Sequence, residues 1–327
     1  MRRFLFFILF LAVMAGLGTA WWLHRPLTLK TTPLDLSIEP GTSARGVASA
    51  VAAAGVDISP WMLAALFRVT SSERLIKAGS YELEASTTPL SLLRKLVRGE
   101  ESLLALTLVE GWNIRQVREA LRKADLLRPD TAKLSELALM DKLGRPGVHP
   151  EGRFFPDTYT YAKGSSDLAL LQRAMRAMDR QLAAAWSQRA PGLAVKGPDD
   201  ALILASIVEK ETGRSSDRAT IAAVFNNRLR IVMMLQTDPT VIYGLGERFD
   251  GNLRRVDLLT DTPWNTYTRA GLPPTPIAMP GKAALLAAVQ PASSPALYFV
   301  ARGDGSSQFS QTLEEHNRAV NKYQRGK

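Results

Sequence analysis

The chain has 327 residues, of which 46% are apolar and 22% charged, and it contains no cysteine. This balance is typical of a protein with a packed core and excludes disordered and collagen-like classes. Without a thiol there is no disulfide framework, thiolate metal site or cysteine nucleophile. Only three histidines remain for imidazole chemistry, so carboxylates are the main candidates for catalysis.

The net charge of +10 is unevenly distributed along the chain. The first 30 residues contain no acidic residue but carry four cations, namely Arg2, Arg3, Arg25 and Lys30. The remainder is only mildly basic, unlike a protein that holds nucleic acid by its charge.

Residues 4–23 carry no charge, and at about 1.5 Å per helical residue they can cross a hydrocarbon core of about 30 Å. Arg2 and Arg3 precede this run and Trp21-Trp22 ends it, which predicts a single-pass anchor in the inner (cytoplasmic) membrane with a cytoplasmic N-terminus. The rest of the chain would then be periplasmic or otherwise extracytoplasmic. The alternative is a cleaved signal peptide ending near Gly18-Thr19-Ala20, although the apolar regions of such peptides usually have only about 7–15 residues.

Strand and helix patterns alternate in the first part of the exported chain, which predicts a small α+β domain. Alternating apolar residues predict strands at 34–38, 81–84 and 104–109. Each strand is followed by a turn and a helical pattern, and Thr88-Pro89 is the N-cap and first residue of one such helix. A module of this kind can also be a scaffold without chemistry of its own.

A cluster of helix and strand breakers at residues 145–150 indicates a domain boundary near residue 150. The sequence therefore predicts a cytoplasmic tip and anchor at 1–30, a small α+β domain at 31–150 and a second α+β domain at 151–327. Directly after the boundary, the segment EGRFFPDTY at 151–159 is expected to be an ordered loop.

One helix of the second domain ends in carboxylates although its preceding residues predict burial. It is predicted to begin at Asp199, a good N-cap, and it is apolar or small at every position from 201 to 208. It then reads Glu209-Lys210-Glu211. A buried helix with this ending indicates a cleft near its last turn.

Glu209 is the candidate general acid. At about 100° per residue it shares a helix face with Leu202, Ala205 and Ser206, and the small side chains on that face leave room for a cleft. An apolar cleft raises the pKa of a carboxyl group, as a general acid requires. The alternative is that Glu209 and Glu211 only form ion pairs near the helix end, with Lys210, Arg214 or Arg218.

The loops further along the chain are rich in hydrogen-bonding and aromatic residues. They comprise a predicted polar turn at 236–240, a strand-like segment at 241–243, the segment WNTY at 264–267 and the rigid GLPPTPI at 271–277. Such side chains suit a sugar, whose hydroxyls need donors and acceptors and whose apolar faces pack on rings. Alternatively, Asp238 and Asn265 form Asx turns and the prolines stiffen a surface loop.

Four segments together resemble the YceG-like family of endolytic murein transglycosylases, also called MltG. They are ASIVEKE at 205–211, LQTDPTVIYG at 235–244, NTY at 265–267 and GLPP at 271–274. The resemblance covers nearly the whole chain, because that family also has one N-terminal membrane helix, a LysM-like module and a segment like residues 151–159. It implies a LysM-like module in the domain at 31–150 and a catalytic domain at 151–327.

Carried over position by position, the resemblance makes Glu209 the catalytic acid/base. It also implies a set of substrate-binding residues, namely Ser206, Gln236, Thr237, Asp238, Asn265 and Tyr267. The implied reaction cleaves the β-1,4 bond between N-acetylmuramic acid and N-acetylglucosamine within peptidoglycan strands and leaves 1,6-anhydro ends. It needs no metal or cofactor, and peptidoglycan synthases are candidate partners.

Two other functions stay open at this point. A muramidase that hydrolyses the bond would use two carboxylates, about 5–5.5 Å apart for retention or 6.5–9.5 Å for inversion, and Asp238 and Glu211 are conceivable partners. A membrane-tethered scaffold would instead bind peptidoglycan through the LysM-like module, with Glu209 in a structural role. Nucleic acid is not expected as a partner, because export removes the chain from it.

Overall fold

The structure, a computed structural model, describes residues 2–100 and 103–326 and shows a mixed α+β protein, as the sequence predicts. The helices of this part of the chain are α1 (Arg2–His24), α2 (Ala44–Ala53), α3 (Pro60–Val69), α4 (Pro89–Arg98), α5 (Ile114–Lys123), α6 (Glu136–Lys142), α7 (Asp167–Ser187), α8 (Pro198–Glu211), α9 (Ser215–Arg230), α10 (Asp238–Leu245), α11 (Arg255–Leu259), α12 (Lys282–Val289) and α13 (Leu313–Tyr323). The strands are β1 (Thr28–Leu29), β2 (Leu34–Ile38), β3 (Val56–Asp57), β4 (Gly79–Leu83), β5 (Leu103–Thr107), β6 (Thr158–Ala162), β7 (Tyr298–Ala301) and β8 (Ser307–Ser310). They pair two by two, as β1 with β3, β2 with β4, β5 with β6 and β7 with β8.

The helix α1 contains the predicted membrane segment. Its stretch Phe6–His24 is apolar and long enough to cross a bilayer, and none of its described side chains is fully buried inside the protein. Length and composition therefore agree with a single-pass anchor.

The chain forms two compact units. The first comprises the chain up to Leu104 together with Thr160–Gly164, and the second comprises Ala105–Tyr159 and the chain from Ser165 onward. The division lies earlier in the sequence than residue 150, and the functional division at 150 stays a prediction.

In the first unit the predicted strand at 34–38 is β2, and it pairs antiparallel with β4 so that Leu34 lies opposite Leu83. The buried residues alternate along β2, because successive side chains of a strand point to opposite faces. The helices α2 and α3 lie between β2 and β4 in the chain and contribute Val51 and Phe67 to the same core. The assignment of a LysM-like module to this part of the chain stays a prediction.

Local capping signals position α4 as predicted. Thr88 accepts a hydrogen bond from the Ser91 backbone amide, the Ser91 hydroxyl accepts one from the Thr88 amide, and Pro89 follows the cap. Gly99 ends the helix at φ +71°, a conformation that only glycine adopts without strain.

In the second unit α8 is the central helix. Residues 201–208 are buried apart from Ile203, which confirms the predicted burial, and α7, α9, α10 and α12 pack around them. The helix begins at Pro198 with Gly197 as its N-cap, so the prediction of Asp199 as the cap is wrong by two residues. Asp199 lies in the first turn instead, where its carboxylate is favoured by the helix dipole and pairs with Arg153 at 2.7 Å.

The strand predicted at 241–243 is wrong, since these residues belong to α10. Proline in the first turn and the acidic Asp238 before it are helix-starting signals, and they override the β-branched residues that follow. The helix begins at Asp238, so the predicted polar turn at 236–240 is the entry to this helix.

Candidate active site

Two carboxylates stand at the C-terminal end of α8, on different sides of the helix. Glu209 and Glu211 are both partly buried, and Lys210 between them is exposed. A separation of two residues rotates a helical side chain by about 200°, so the two groups have different surroundings.

Glu209 lies against the N-terminus of α12. Its Oε2 accepts a hydrogen bond from the Gly281 backbone amide at 2.9 Å. The Glu110 side chain packs on the same glycine, and the Glu209 Cγ lies close to Gly111. Burial, together with the negative charge of Glu110, raises the pKa of Glu209, while the Gly281 amide opposes the rise. The side chain therefore has the elevated pKa that the sequence predicts.

Glu211 faces a cleft of about 580 Å³. The Thr237 hydroxyl donates a hydrogen bond to its Oε1. Burial raises the pKa of Glu211, and Asp238 adds to the rise, whereas the Thr237 hydroxyl and the Arg228 guanidinium lower it. A carboxyl group whose pKa is raised by burial and that faces an open cleft is suited to donate a proton.

Four of the predicted substrate-binding residues line the same cleft as Glu211, namely Gln236, Thr237, Asp238 and Tyr267. Gln236 and Asp238 are exposed there, so their side chains are accessible to a ligand. The Tyr267 hydroxyl donates to Asp238 Oδ1 at 2.5 Å. The pKa of Tyr267 is raised by burial and by this carboxylate, so the phenol stays a donor at neutral pH.

Glu209 and Ser206 are not part of the lining of this cleft. The Ser206 hydroxyl is fully buried, donates to Ile203 O at 2.7 Å and accepts from the Ile277 amide at 3.0 Å. It connects α8 to the rigid segment 271–277. The roles assigned to Glu209 and Ser206 stay predictions.

Asn265 does not line the cleft and has no exposed surface. Its amide donates to the carbonyl oxygens of Leu258 at 3.0 Å and Thr260 at 2.7 Å, and its Oδ1 accepts from the Tyr267 amide at 2.8 Å. The side chain holds the end of α11 and orients Tyr267. A direct contact between Asn265 and substrate stays a prediction.

Sequence reasoning missed a second part of the cleft lining, which comes from β7 and α13. The rings of Tyr298 and His316 stack there with centroids 5.3 Å apart. The Arg228 guanidinium lies 5.2 Å from the Tyr298 ring and donates to Leu235 O at 2.7 Å and Leu297 O at 2.6 Å. Arg228 could have been identified from the sequence, because it follows the apolar stretch 221–225 of α9 and is therefore expected to be buried. A buried arginine needs specific partners.

Glu151 is a buried carboxyl group that the sequence analysis did not identify as a candidate functional residue. It has no exposed surface, and both of its oxygens accept from the Ile114 amide at 3.1 Å, at the start of α5. Burial raises its pKa to about 7, although the hydrogen bonds from Ile114 and Tyr243 oppose the rise. The predicted ordered loop thus begins with a residue that fixes the N-terminus of α5, and it ends at residue 157, because Thr158 and Tyr159 belong to β6.

The sequence and structure of the chain are similar to those of known proteins. The sequence profile of the YceG-like family matches residues 36–322. An endolytic murein transglycosylase of Bacillus subtilis strain 168 is 33% identical over 264 residues, which is 76% of this chain and 73% of the relative. The enzyme of the same name from Streptococcus pneumoniae strain D39 is 29% identical over 282 residues, or 75% of this chain and 50% of that protein. The chain therefore spans about half the length of the pneumococcal relative.

A solved structure is similar as well. The crystal structure of a yceG-like protein from Listeria monocytogenes superposes with a TM-score of 0.55 and 28% identity. The match covers 88% of this chain and 98% of that protein.

Proposed function

This chain belongs to the YceG-like family, and on that basis we propose that it is an endolytic murein transglycosylase that cleaves peptidoglycan strands internally. The main structural support is the cleft beside the end of α8, which is lined by the partly buried Glu211 carboxyl group, exposed polar side chains and the aromatic rings of Tyr267 and Tyr298. Polar groups for sugar hydroxyls and rings for sugar faces are the features that a glycan site needs.

Within this function we propose Glu211 as the catalytic acid/base. It lines the cleft with Thr237, Asp238 and Tyr267, whereas Glu209 is turned toward Gly281 and Glu110. Glu209, which the sequence predicts for this role, is the second candidate, since its pKa is raised by burial too. Direct comparison of the two carboxylates decides between them.

The proposed reaction uses one carboxyl group twice. Protonated Glu211 donates its proton to O4 of the leaving N-acetylglucosamine while positive charge develops at C1 of the muramic acid. The ionised carboxylate then accepts the proton of the muramic acid C6 hydroxyl, whose oxygen attacks C1. The C1–O4 bond is replaced by a C1–O6 bond, the proton returns to Glu211, and no water is consumed.

The Thr237 hydroxyl supports the second half of this cycle. It donates to Glu211 Oε1 and therefore holds the carboxyl group in one orientation and stabilises its ionised form. Thr237 is itself fixed by its backbone amide, which donates to the Thr266 hydroxyl at 3.1 Å.

The location of the enzyme is part of the proposal. The helix α1 agrees with a membrane anchor, and Arg2 and Arg3 support a cytoplasmic N-terminus with the chain after α1 outside the cytoplasm. We further propose that the first unit, with the elements β2-α2-β3-α3-β4 in chain order, binds glycan as a LysM-like module. We also propose that peptidoglycan synthases, which supply new strands at the membrane, are partners.

The test compares the full-length protein in detergent with its Glu211→Gln and Glu209→Gln variants on purified peptidoglycan. Mass spectrometry of the released muropeptides is expected to show products one water lighter than those of hydrolysis. Glu211→Gln should abolish them and Glu209→Gln should retain a measurable rate. The exposed Glu314→Gln in α13 is the matched control and should behave as the parent.

Other outcomes identify the other candidates. Full loss only in Glu209→Gln would make Glu209 the acid/base. Full-mass reducing products would indicate a muramidase and direct attention to Asp238 as the second carboxylate. Binding of glycan without any products would favour the scaffold.

A further inference from the structure

The helix α3 has apolar side chains on both of its faces. Leu63 and Phe67 lie in the core of the first unit and have no exposed surface. On the outward face, Trp61 is 72% exposed and Val69 84% exposed, and Ala65 lies between them at helical spacing. The only charged residue of α3, Arg68, forms an exposed ion pair with Glu73 at 3.4 Å. Water is a poor solvent for such an outward face.

This face forms one wall of a groove of about 550 Å³ whose other wall is α1. The α1 residues in the groove include Ala15, Gly18, Thr19 and Trp22, which lie on one side of that helix. Thr19 donates its hydroxyl hydrogen to Ala15 O at 2.8 Å, so the groove presents no free hydroxyl group from it. The groove thus has an apolar lining suited to hydrocarbon.

The groove residues of α1 lie within its apolar stretch Phe6–His24. Ala15 and Trp22 are separated along the helix axis by about 10 Å at 1.5 Å per residue. If α1 spans the bilayer, residues that face Ala15 and Trp22 across a common groove lie at the same depth. The outward face of α3 then lies in the outermost third of the membrane.

The connection between α1 and the unit does not allow the unit to move away from the bilayer. Only residues 25–27 separate α1 from β1, and Leu27 is already buried in the core of the unit. Three residues reach at most about 10 Å. Trp22 also packs against this core, so α1 and the unit form one body.

From this geometry we propose that α3 is an interfacial membrane helix, whose Trp61, Ala65 and Val69 contact the acyl chains of the outer leaflet. The occupant of the α1–α3 groove is lipid. Arg25, whose guanidinium lies 5.1 Å from the Trp21 ring, stands at the level of the headgroups. The inference rests on the proposed anchoring by α1 and extends it, because two helices, α1 and α3, would then contact the bilayer.

The absence of cysteine makes the proposal directly measurable, because single cysteines can carry a nitroxide label without background. Labels are placed at Val69 and Ala65 of α3 in the full-length protein in phospholipid vesicles. A label at Leu17 of α1, which is 62% exposed, reports whether α1 lies within the bilayer. Ser49, an exposed residue of α2 in the same unit, is the matched control. Collision with oxygen, which partitions into lipid, is compared with collision with a water-soluble nickel chelate.

The expected oxygen-to-nickel ratio at Val69 and Ala65 is several-fold above that at Ser49 and close to that at Leu17. A ratio at Val69 equal to that at Ser49, with Leu17 in lipid, would overturn the inference and leave the anchor intact. A water-like ratio at Leu17 would refute the anchor itself. Low collision with both reagents at Val69 would place protein, such as a second copy, in the groove, and this result would also overturn the proposal.

Discussion

The carboxylate of Glu110 occupies the position where the Cβ of any larger residue at 281 would stand. Gly281 has an ordinary φ of −77°, so glycine is required there by space and not by backbone conformation. The same glycine donates its amide to Glu209 at 2.9 Å. One small residue therefore lets two carboxylates approach each other, and their repulsion contributes to the raised pKa of Glu209.

Gly281→Ala should displace the Glu110 side chain and lower the pKa of Glu209, and Glu110→Gln should lower it without any added atom. The stability change should stay below about 1 kcal/mol, because the displaced side chain is exposed and flexible. Carboxyl ¹³C NMR titration measures the pKa, with Glu209→Gln used for assignment. Gly197→Ala is the control, since Gly197 is also a helix N-cap but has open space around it. An unchanged pKa of Glu209 in both test variants would show that Glu110 does not raise it.

The pH dependence of cleavage should distinguish the two candidate acids. A general acid must be protonated, so the rate falls as the pH rises through its pKa. Asp238→Asn removes a charge that raises the pKa of Glu211, and this variant should shift the alkaline limb of the kcat profile to lower pH. Glu110→Gln should leave that limb in place, because Glu110 acts on Glu209. The reverse pattern would identify Glu209 as the acid.

Glu151 should make the folded state less stable as the pH rises. Its pKa is about 7 in the fold and 4.5 for an ordinary glutamate, so the folded state binds the extra proton. The stabilising contribution is complete below pH 4.5 and is lost progressively up to about pH 7. The loss is about 3 kcal/mol from 1.36 kcal/mol per pKa unit.

Glu151→Gln should remove that part of the pH dependence, because the glutamine resembles the protonated acid. Urea unfolding of the parent and the variant at several pH values between 4.5 and 7 measures the difference. Parallel stability curves for the two proteins would show that Glu151 keeps an ordinary pKa.

Asn265→Ala should destabilise the second unit by about 2 to 3 kcal/mol, because the fully buried Asn265 side chain makes hydrogen bonds to the Leu258 and Thr260 carbonyl groups and to the Tyr267 amide, and all of them are lost. Asn252→Ala, at an exposed position, should change stability by less than about 0.5 kcal/mol. Urea unfolding measures both. Equal effects of the two substitutions would contradict the buried role of Asn265.

The parts of the fold that depend on local signals were predictable from the sequence. The strand at 34–38 and the capped helix after Thr88 follow from alternation and capping, which act over a few residues. The segment 241–243 was mispredicted because its β-branched residues suggested a strand, while Asp238-Pro239 before it started a helix.

The candidate site was predictable only in part. Motif positions identified Gln236, Thr237, Asp238 and Tyr267, which the fold brings together in one cleft. Which of two neighbouring carboxylates faces that cleft depends on how α10 and the loop before it pack against α8, and sequence spacing does not contain that information. Tyr298, whose ring also lines the cleft, is likewise distant in sequence.

Leu27 is buried in the core of the first unit although it lies only three residues after α1, and this position affects the choice of fragments for biochemistry. A shortened protein that starts at residue 31 lacks β1 and leaves the site of Leu27 in the core open to water. A fragment that starts at Arg25 contains β1 and the Leu27 side chain, but it still lacks the indole of Trp22, which packs against that core. A water-soluble fragment that keeps every contact of the first unit must therefore begin inside the apolar helix, with its outer residues exchanged for polar ones.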